Sequence, residues 1–324
     1  MDNFWIFSSE VKLIKNFDIR SGTLIDAGNS SGQISMFINA TSEEKVVLMN
    51  EFGVDEHTIA SAMDPDEISR IETYGDDTWI IWKRPLNYSG QDNFYFNVAS
   101  VGLFLTKSRL AIVITEDISI VTNTRKTTKF NTVMDVLLYY LHENVQHYID
   151  HLKVIKMISR DLQKKINTSM ENIHLIQMFN LSESLVHYTN AISSNGVVLN
   201  RMRTSAEKQS CPEGICDSLD ILIIENNQCY KQSEIYSTVF SGLMDARGTL
   251  VNNNMNILLK KLTIINIIFM PLNLIAGIGG MSEFGTLTTG VDWRIAYGAL
   301  STAMLILGLI LNKILTKWST RERS

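Results

Sequence analysis

The stretch Lys261-Leu-Thr-Ile-Ile-Asn-Ile-Ile-Phe-Met-Pro-Leu-Asn-Leu-Ile-Ala-Gly-Ile-Gly-Gly-Met281 decides the fold. It is apolar enough to lie in lipid, yet amides interrupt it at Asn266 and Asn273. These belong to a longer stripe that starts upstream: Asn252, Asn256, Leu259, Thr263, Asn266, Met270, Asn273, Gly277 and Gly280. Its steps alternate between 4 and 3, the spacing of one seam of a coiled-coil helix. Amide side chains inside a membrane segment are costly unless they face water, an ion or one another. A helix with an apolar outside and an amide seam therefore predicts the wall of a pore built from several copies of the chain. The competing reading is packing between helices, with asparagine fixing register and oligomer number. For Gly277, Gly279 and Gly280 the corresponding reading is close helix approach, which is compatible with a pore. Pro271 inside the span is expected to loosen the helix locally.

Working outward, two membrane spans are readable, one near 262–281 and one at 295–315, each about the 20 residues a bilayer core requires. The intervening 282–294 is too short for a domain. Lys260 and Lys261 precede the first span, and Lys313, Lys317, Arg321 and Arg323 end or follow the second. The positive-inside rule places both termini in the cytoplasm, with 316–324 a basic tail. The amino terminus has acidic Asp2 and Glu10 and no long apolar run, so it does not read as a secretory signal.

Before the spans the chain reads as an α+β protein. Residues 1–128 hold short β-branched or aromatic runs, expected as strands: Trp79–Trp82, Asn93–Val98, Ser100–Leu105 and Leu110–Thr115. Ser42–Asn50 and Asp55–Met63 read as helices, with another short helix expected from Asp66. Residues 129–232 hold a helical hairpin, turning near Asn167–Ser169, and a loop near Cys211–Gly214. A third helical pattern begins near Leu219, and 233–281 is expected to form one long stalk and pore helix.

The 324 residues carry a net charge of −5 and a mean hydropathy of +0.04. No basic stripe or phosphate-binding glycine loop points to nucleic acid, and mild acidity suits cationic cargo only weakly. Cys211, Cys216 and Cys229 are the only cysteines; without further ligands at metal spacing they read as reduced thiols rather than a knuckle or disulfide. Glu143, His147 and His151 share a helix face but lack an activated-water constellation, so a solvated or interhelical face is the plainer reading. Asp64-Pro-Asp-Glu67 is a charged helix start before it is a cation site. No Ser/His/Asp arrangement is present, and the chain does not read as an enzyme.

The run 261–281, with Ser241-Gly-Leu-Met-Asp245 upstream, closely resembles the first membrane helix of the CorA family of divalent-cation channels. The order of elements is similar along essentially the whole chain. The resemblance implies a homopentamer in the inner or plasma membrane, with no cofactor other than transported and regulatory ions. Mg2+ is the expected ion, with Co2+, Ni2+ or Zn2+ next. The alternatives are a zinc transporter, proton-coupled or not, and a non-conducting scaffold or metal sensor. The family's Gly-Met-Asn tripeptide is matched here by Gly280, Met281 and Ser282, and its preceding tyrosine by Gly279. A serine ring is wider than an asparagine ring, and Glu283 offers a compensating carboxylate. Position by position, the inner constriction falls on Asn256, Leu259, Leu262 and Met270, and Asn273 stands where the family has threonine. Asp245 matches an acidic position at the cytosolic mouth. A regulatory acidic site between subunits has no firm match: the ungapped position is Ile221, beside Asp220.

Overall fold

A computed structural model describes residues 14–28, 31–87, 95–116, 129–168, 172–209 and 211–321. The amino-terminal segment, the first two residues of the expected strand Asn93–Val98, the end of the expected turn at Asn167–Ser169 and the last three residues lie outside these. Two compact units are present, 1–243 and 244–324.

The first unit is built on one seven-stranded sheet: β1 (Ile14–Arg20), β2 (Thr23–Asp26), β3 (Ile34–Ile38), β4 (Arg70–Tyr74), β5 (Asp77–Pro85), β6 (Val98–Leu105) and β7 (Leu110–Ile114). The spatial order is β2-β1-β3-β7-β6-β5-β4. Among the described strands only β3 and β7 pair in parallel. Helices cover both faces, which is why β3, β6 and β7 read as almost unbroken apolar runs rather than alternating ones. On one face α1 (Ser42–Phe52) and α2 (Glu56–Met63) bury Leu48, Phe52 and Ile59 against Phe37, Ile81, Phe104 and Val113. Their starts are set by side chains: Thr41 and Glu44 form a capping box, and Asp55 accepts from the Thr58 amide at 2.7 Å.

The opposite face takes α3 (Val133–Thr168), α4 (Asn172–Lys208) and the first part of α5 (Glu213–Gly279). Val136, Leu137, Leu141, Val198, Leu199 and Leu222 pack there on Met36, Ile80, Trp82, Leu103 and Ile112. Polar side chains pin the layer. Asn195 on α4 accepts from Ser69 Oγ (2.7 Å) and from the Lys83 amide (3.0 Å), and donates to the Lys83 carbonyl (2.7 Å). Asn226 on α5 donates to the Ile192 carbonyl at 3.0 Å.

Three expectations need correction. No helix follows Asp66: a turn leads into β4, with Asp64 accepting from the Asp66 amide and Glu67 paired to Arg70 at 2.9 Å. Of 93–98, residues 95–97 are not strand; Phe96 is instead a core anchor whose amide donates to Ser184 Oγ at 2.9 Å. The long helix begins at Glu213, six residues before the helical pattern expected from near Leu219, and it includes the segment 213–232 that the sequence groups with the hairpin rather than with the stalk at 233–281.

In the second unit, α5 continues unbroken through Pro271 to Gly279, forgoing the hydrogen bond proline cannot donate. A short helix α6 (Ser282–Leu287) and a turn lead to α7 (Trp293–Arg321). Asp292 caps α7, its carboxylate accepting from the Arg294 amide at 2.9 Å. Two helices, Glu213–Gly279 and Trp293–Leu315, contain windows long and apolar enough to cross a bilayer, and those windows are almost wholly exposed. Surface of that kind is stable in hydrocarbon and not in water.

Candidate functional site

Within the span of α5 the least exposed positions include Ile264, Ile268, Leu272, Ile275 and Gly279. They form the face that meets α7. A Cβ on Gly279 would lie 2.6 Å from Leu300 Cδ2, and one on Gly308 would lie 3.4 Å from Leu272 Cδ1. Ala296, Leu300, Met304, Gly308 and Leu311 supply the matching half-buried face of α7. The clasp is tightest at the carboxyl end of α5: Tyr297 Oη donates to the Gly279 carbonyl at 3.1 Å, and Phe284 meets the Tyr297 ring edge-on at 5.5 Å.

The polar stripe lies elsewhere on the helix. Asn252, Asn256, Leu259, Thr263, Asn266, Met270, Asn273, Gly277 and Gly280 are all exposed. With 3.6 residues per turn, the mean direction of the stripe is roughly 180° from that of the α7-facing positions. Packing of α5 on α7 therefore does not account for the amides, since isoleucine, leucine and glycine occupy that contact. Leu262, also exposed, borders the stripe. Thr263 is partly self-satisfied, its hydroxyl donating to the Leu259 carbonyl at 2.9 Å.

At its carboxyl end the helix stops where the Gly280 amide donates to the Ala276 and Gly277 carbonyls at 3.1 and 3.2 Å. Met281 is extended and precedes α6, and its carbonyl accepts from the Phe284 amide at 3.1 Å. Ser282 and Glu283 open α6 on the exposed surface, with the Ser282 hydroxyl donating to the Glu283 carboxylate at 3.3 Å. A hydroxyl and a carboxylate thus sit together just past the end of the pore-helix candidate.

Asp220 and Asp245 differ. Asp220 accepts from Arg203 Nε at 2.8 Å, so its charge is already partnered. Asp245 is exposed. Among the described residues no three His, Cys, Asp or Glu side chains converge as a metal site. His147 and His151 lie with ring centroids 4.3 Å apart, but in a core: His151 Nδ1 bonds Tyr188 Oη at 2.6 Å, and Phe96 packs edge-on at 5.4 Å. Burial first, then His147, push His151 down to about 4, and burial also lowers His147. The pair is an interhelical contact of neutral rings. Cys211, Cys216 and Cys229 are free thiols, and burial pushes Cys229 up to about 12.

Sequence reasoning missed the Tyr297–Gly279 clasp. The available signal was the glycine standing where the resemblance expects tyrosine, with a tyrosine at the start of the second span.

Residues 33–317 match the family of CorA-like Mg2+ transporter proteins, and the chain belongs to that family. It is thus an integral membrane transporter of divalent cations rather than an enzyme. The cobalt/magnesium transport protein CorA of Methanocaldococcus jannaschii is 24% identical over 248 residues, covering 74% of this chain and 76% of that protein. The complete structure of the CorA magnesium transporter from the same organism superposes with a TM-score of 0.73 at 20% identity, over 93% of this chain and 96% of that one. The cytoplasmic domain of ZntB from Vibrio parahaemolyticus shares the fold more distantly, with a TM-score of 0.56 at 9% identity, over 76% and 98% of the two chains.

Proposed function

We propose that copies of this chain assemble around a shared axis, as a homopentamer, and pass hydrated Mg2+ along the α5 stripe. The observation that carries this reading is that the amides occupy the α5 face opposite α7. In a membrane that face must meet either acyl chains or other copies, and acyl chains give an amide nothing to bond. Mg2+ holds its water tightly. Rings from Asn252, Asn256, Asn266 and Asn273 would hydrogen-bond the water shell rather than strip it, and Leu259, Leu262 and Met270 would form apolar collars that gate by dewetting. Gly277 leaves the outer pore wide.

Gly280, Met281, Ser282 and Glu283 form the outer filter in this reading. The Ser282 hydroxyl is a weaker determinant than an amide, and the adjacent Glu283 adds a charge that favours divalent over monovalent ions. Cations bound between neighbouring copies in the first unit favour the closed state, a population shift driven by tighter binding to that state. Asp245 is open to such a role, whereas Asp220 must first leave Arg203. Both termini face the cytoplasm of a cell with this protein in its inner or plasma membrane. Lys260, Lys261 and Lys313, on the terminal side of the two spans, support this through the positive-inside rule.

Proteoliposomes loaded with a Mg2+ or a Zn2+ indicator, assayed with and without a proton gradient, test the proposal. Mg2+ influx independent of the gradient is expected. Gradient-dependent Zn2+ influx would move the chain to a coupled zinc transporter, and no flux of either ion under any gradient would make it a scaffold or sensor.

A further inference from the structure

A cleft of about 780 Å³ lies between the end of α3 and the start of α4, within the first unit. Its α3 wall is strongly basic. Between 153 and 165 stand Lys153, Lys156, Arg160, Lys164 and Lys165 against the single acid Asp161, in a chain whose net charge is −5. Steps of 3, 4 and 4 place Lys153, Lys156, Arg160 and Lys164 along one helical face. Lys153 is paired to Asp150 at 2.8 Å and Lys165 to Asp161 at 3.0 Å. Among the described residues Lys156 and Arg160 have no ion pair. The α4 wall adds His174 and Gln177, whose side chains meet at 3.3 Å.

Like charges one turn apart destabilise a helix, so this face costs the hairpin stability unless an anion compensates. One site collecting four cations favours a ligand with several negative charges close together. Phosphate oxygens fit best, because guanidinium binds them in a bidentate fork and lysine adds point charges. Among the described residues no Phe, Tyr or Trp lines the cleft, so its cations, rather than a broad stacking platform, set what it recognises: the phosphates themselves. We propose that the cleft between α3 and α4 binds a multiply charged phosphate anion, free or as a lipid headgroup, through Lys156 and Arg160.

The probe is tripolyphosphate, titrated by calorimetry into the full-length protein in phosphatidylcholine nanodiscs at low salt with EDTA present. Saturable binding is expected, weakened about tenfold or more by Lys156→Gln with Arg160→Gln, and weakened progressively by added salt. Lys45→Gln with Lys231→Gln changes net charge equally and is expected to leave the affinity unchanged. Lys156, Arg160 and Lys231 are exposed and Lys45 is half-buried, and unchanged melting confirms that the fold survives in both variants. Replacing part of the phosphatidylcholine by cardiolipin, whose headgroup carries two phosphates, separates the sources: lost tripolyphosphate binding identifies headgroups as occupants, and retained binding identifies free phosphate. No saturable binding in phosphatidylcholine discs, or equal loss in the two double variants, overturns the proposal.

Discussion

Asparagine does opposite work in the two units. In the first, Asn144, Asn195 and Asn226 are buried and each donates to a backbone carbonyl. In the second, Asn252, Asn256, Asn266 and Asn273 are exposed, while most of the surrounding surface is leucine, isoleucine and phenylalanine. The first arrangement belongs to a protein in water, where buried amides must be satisfied internally. The second is inverted: the apolar side chains face outward and the amides wait on one stripe for partners the single chain does not supply. One residue type thus reports which solvent each unit was built for.

The largest effect should come from breaking the buried half of that comparison. Asn195→Ala removes three hydrogen bonds and strands the Lys83 backbone, so unfolding of the first unit should lose about 3 kcal/mol, read by denaturant titration. A loss within about 0.5 kcal/mol would mean that water replaces the amide. Next is pH. His151 titrates at about 4 when folded against an ordinary 6.5, so the unfolded chain takes up its proton first as pH falls. Stability is complete above about 6.5 and should decline by on the order of 2 kcal/mol toward 4. The charged and titratable groups around it are His147, Asp150 and Tyr188. Melting of His151→Gln should show a flatter profile over that window.

In the other unit, Asn256→Leu should cut divalent flux about tenfold, equivalent to about 1.4 kcal/mol, without altering melting of the first unit. Gly279→Ala pushes on Leu300 and should loosen α5 from α7 by about 1 kcal/mol, seen as a lower melting temperature in detergent. Ser282→Asn is expected to have the smallest effect, a few-fold gain in Mg2+ over Co2+ flux. An unchanged ratio would shift the filter to Glu283.

Much of the fold was legible because long signals survive in sequence. The two spans, the α3–α4 hairpin and strands β5 to β7 all carry sustained apolar runs. The edge strands were not: β2 and β4 carry Asp26, Arg70 and Glu72, since an edge faces water and avoids aggregation with charge. β3 was missed because its five residues, four apolar and Ser35, are all covered and show no alternation. The start of α5 at Glu213 was hidden by the Cys211-Pro212 step, which reads as a loop yet leads directly into the helix. For the site, periodicity disclosed which residues form a stripe. It was silent on which face α7 would take, because a packing partner leaves its mark only in side-chain shape, here Gly279 beneath Leu300 and Gly308 beside Leu272.

The most direct measurement compares two positions at nearly the same depth on opposite faces. In a background with Cys211, Cys216 and Cys229 replaced, Asn266→Cys and Ile268→Cys are each exposed to a water-soluble, membrane-impermeant thiol reagent in reconstituted protein. Two residues of rise separate them by about 3 Å. A wet shared axis predicts rapid labelling at 266, with loss of ion flux, and none at 268. Equal protection of both, or labelling at 268 alone, would contradict it.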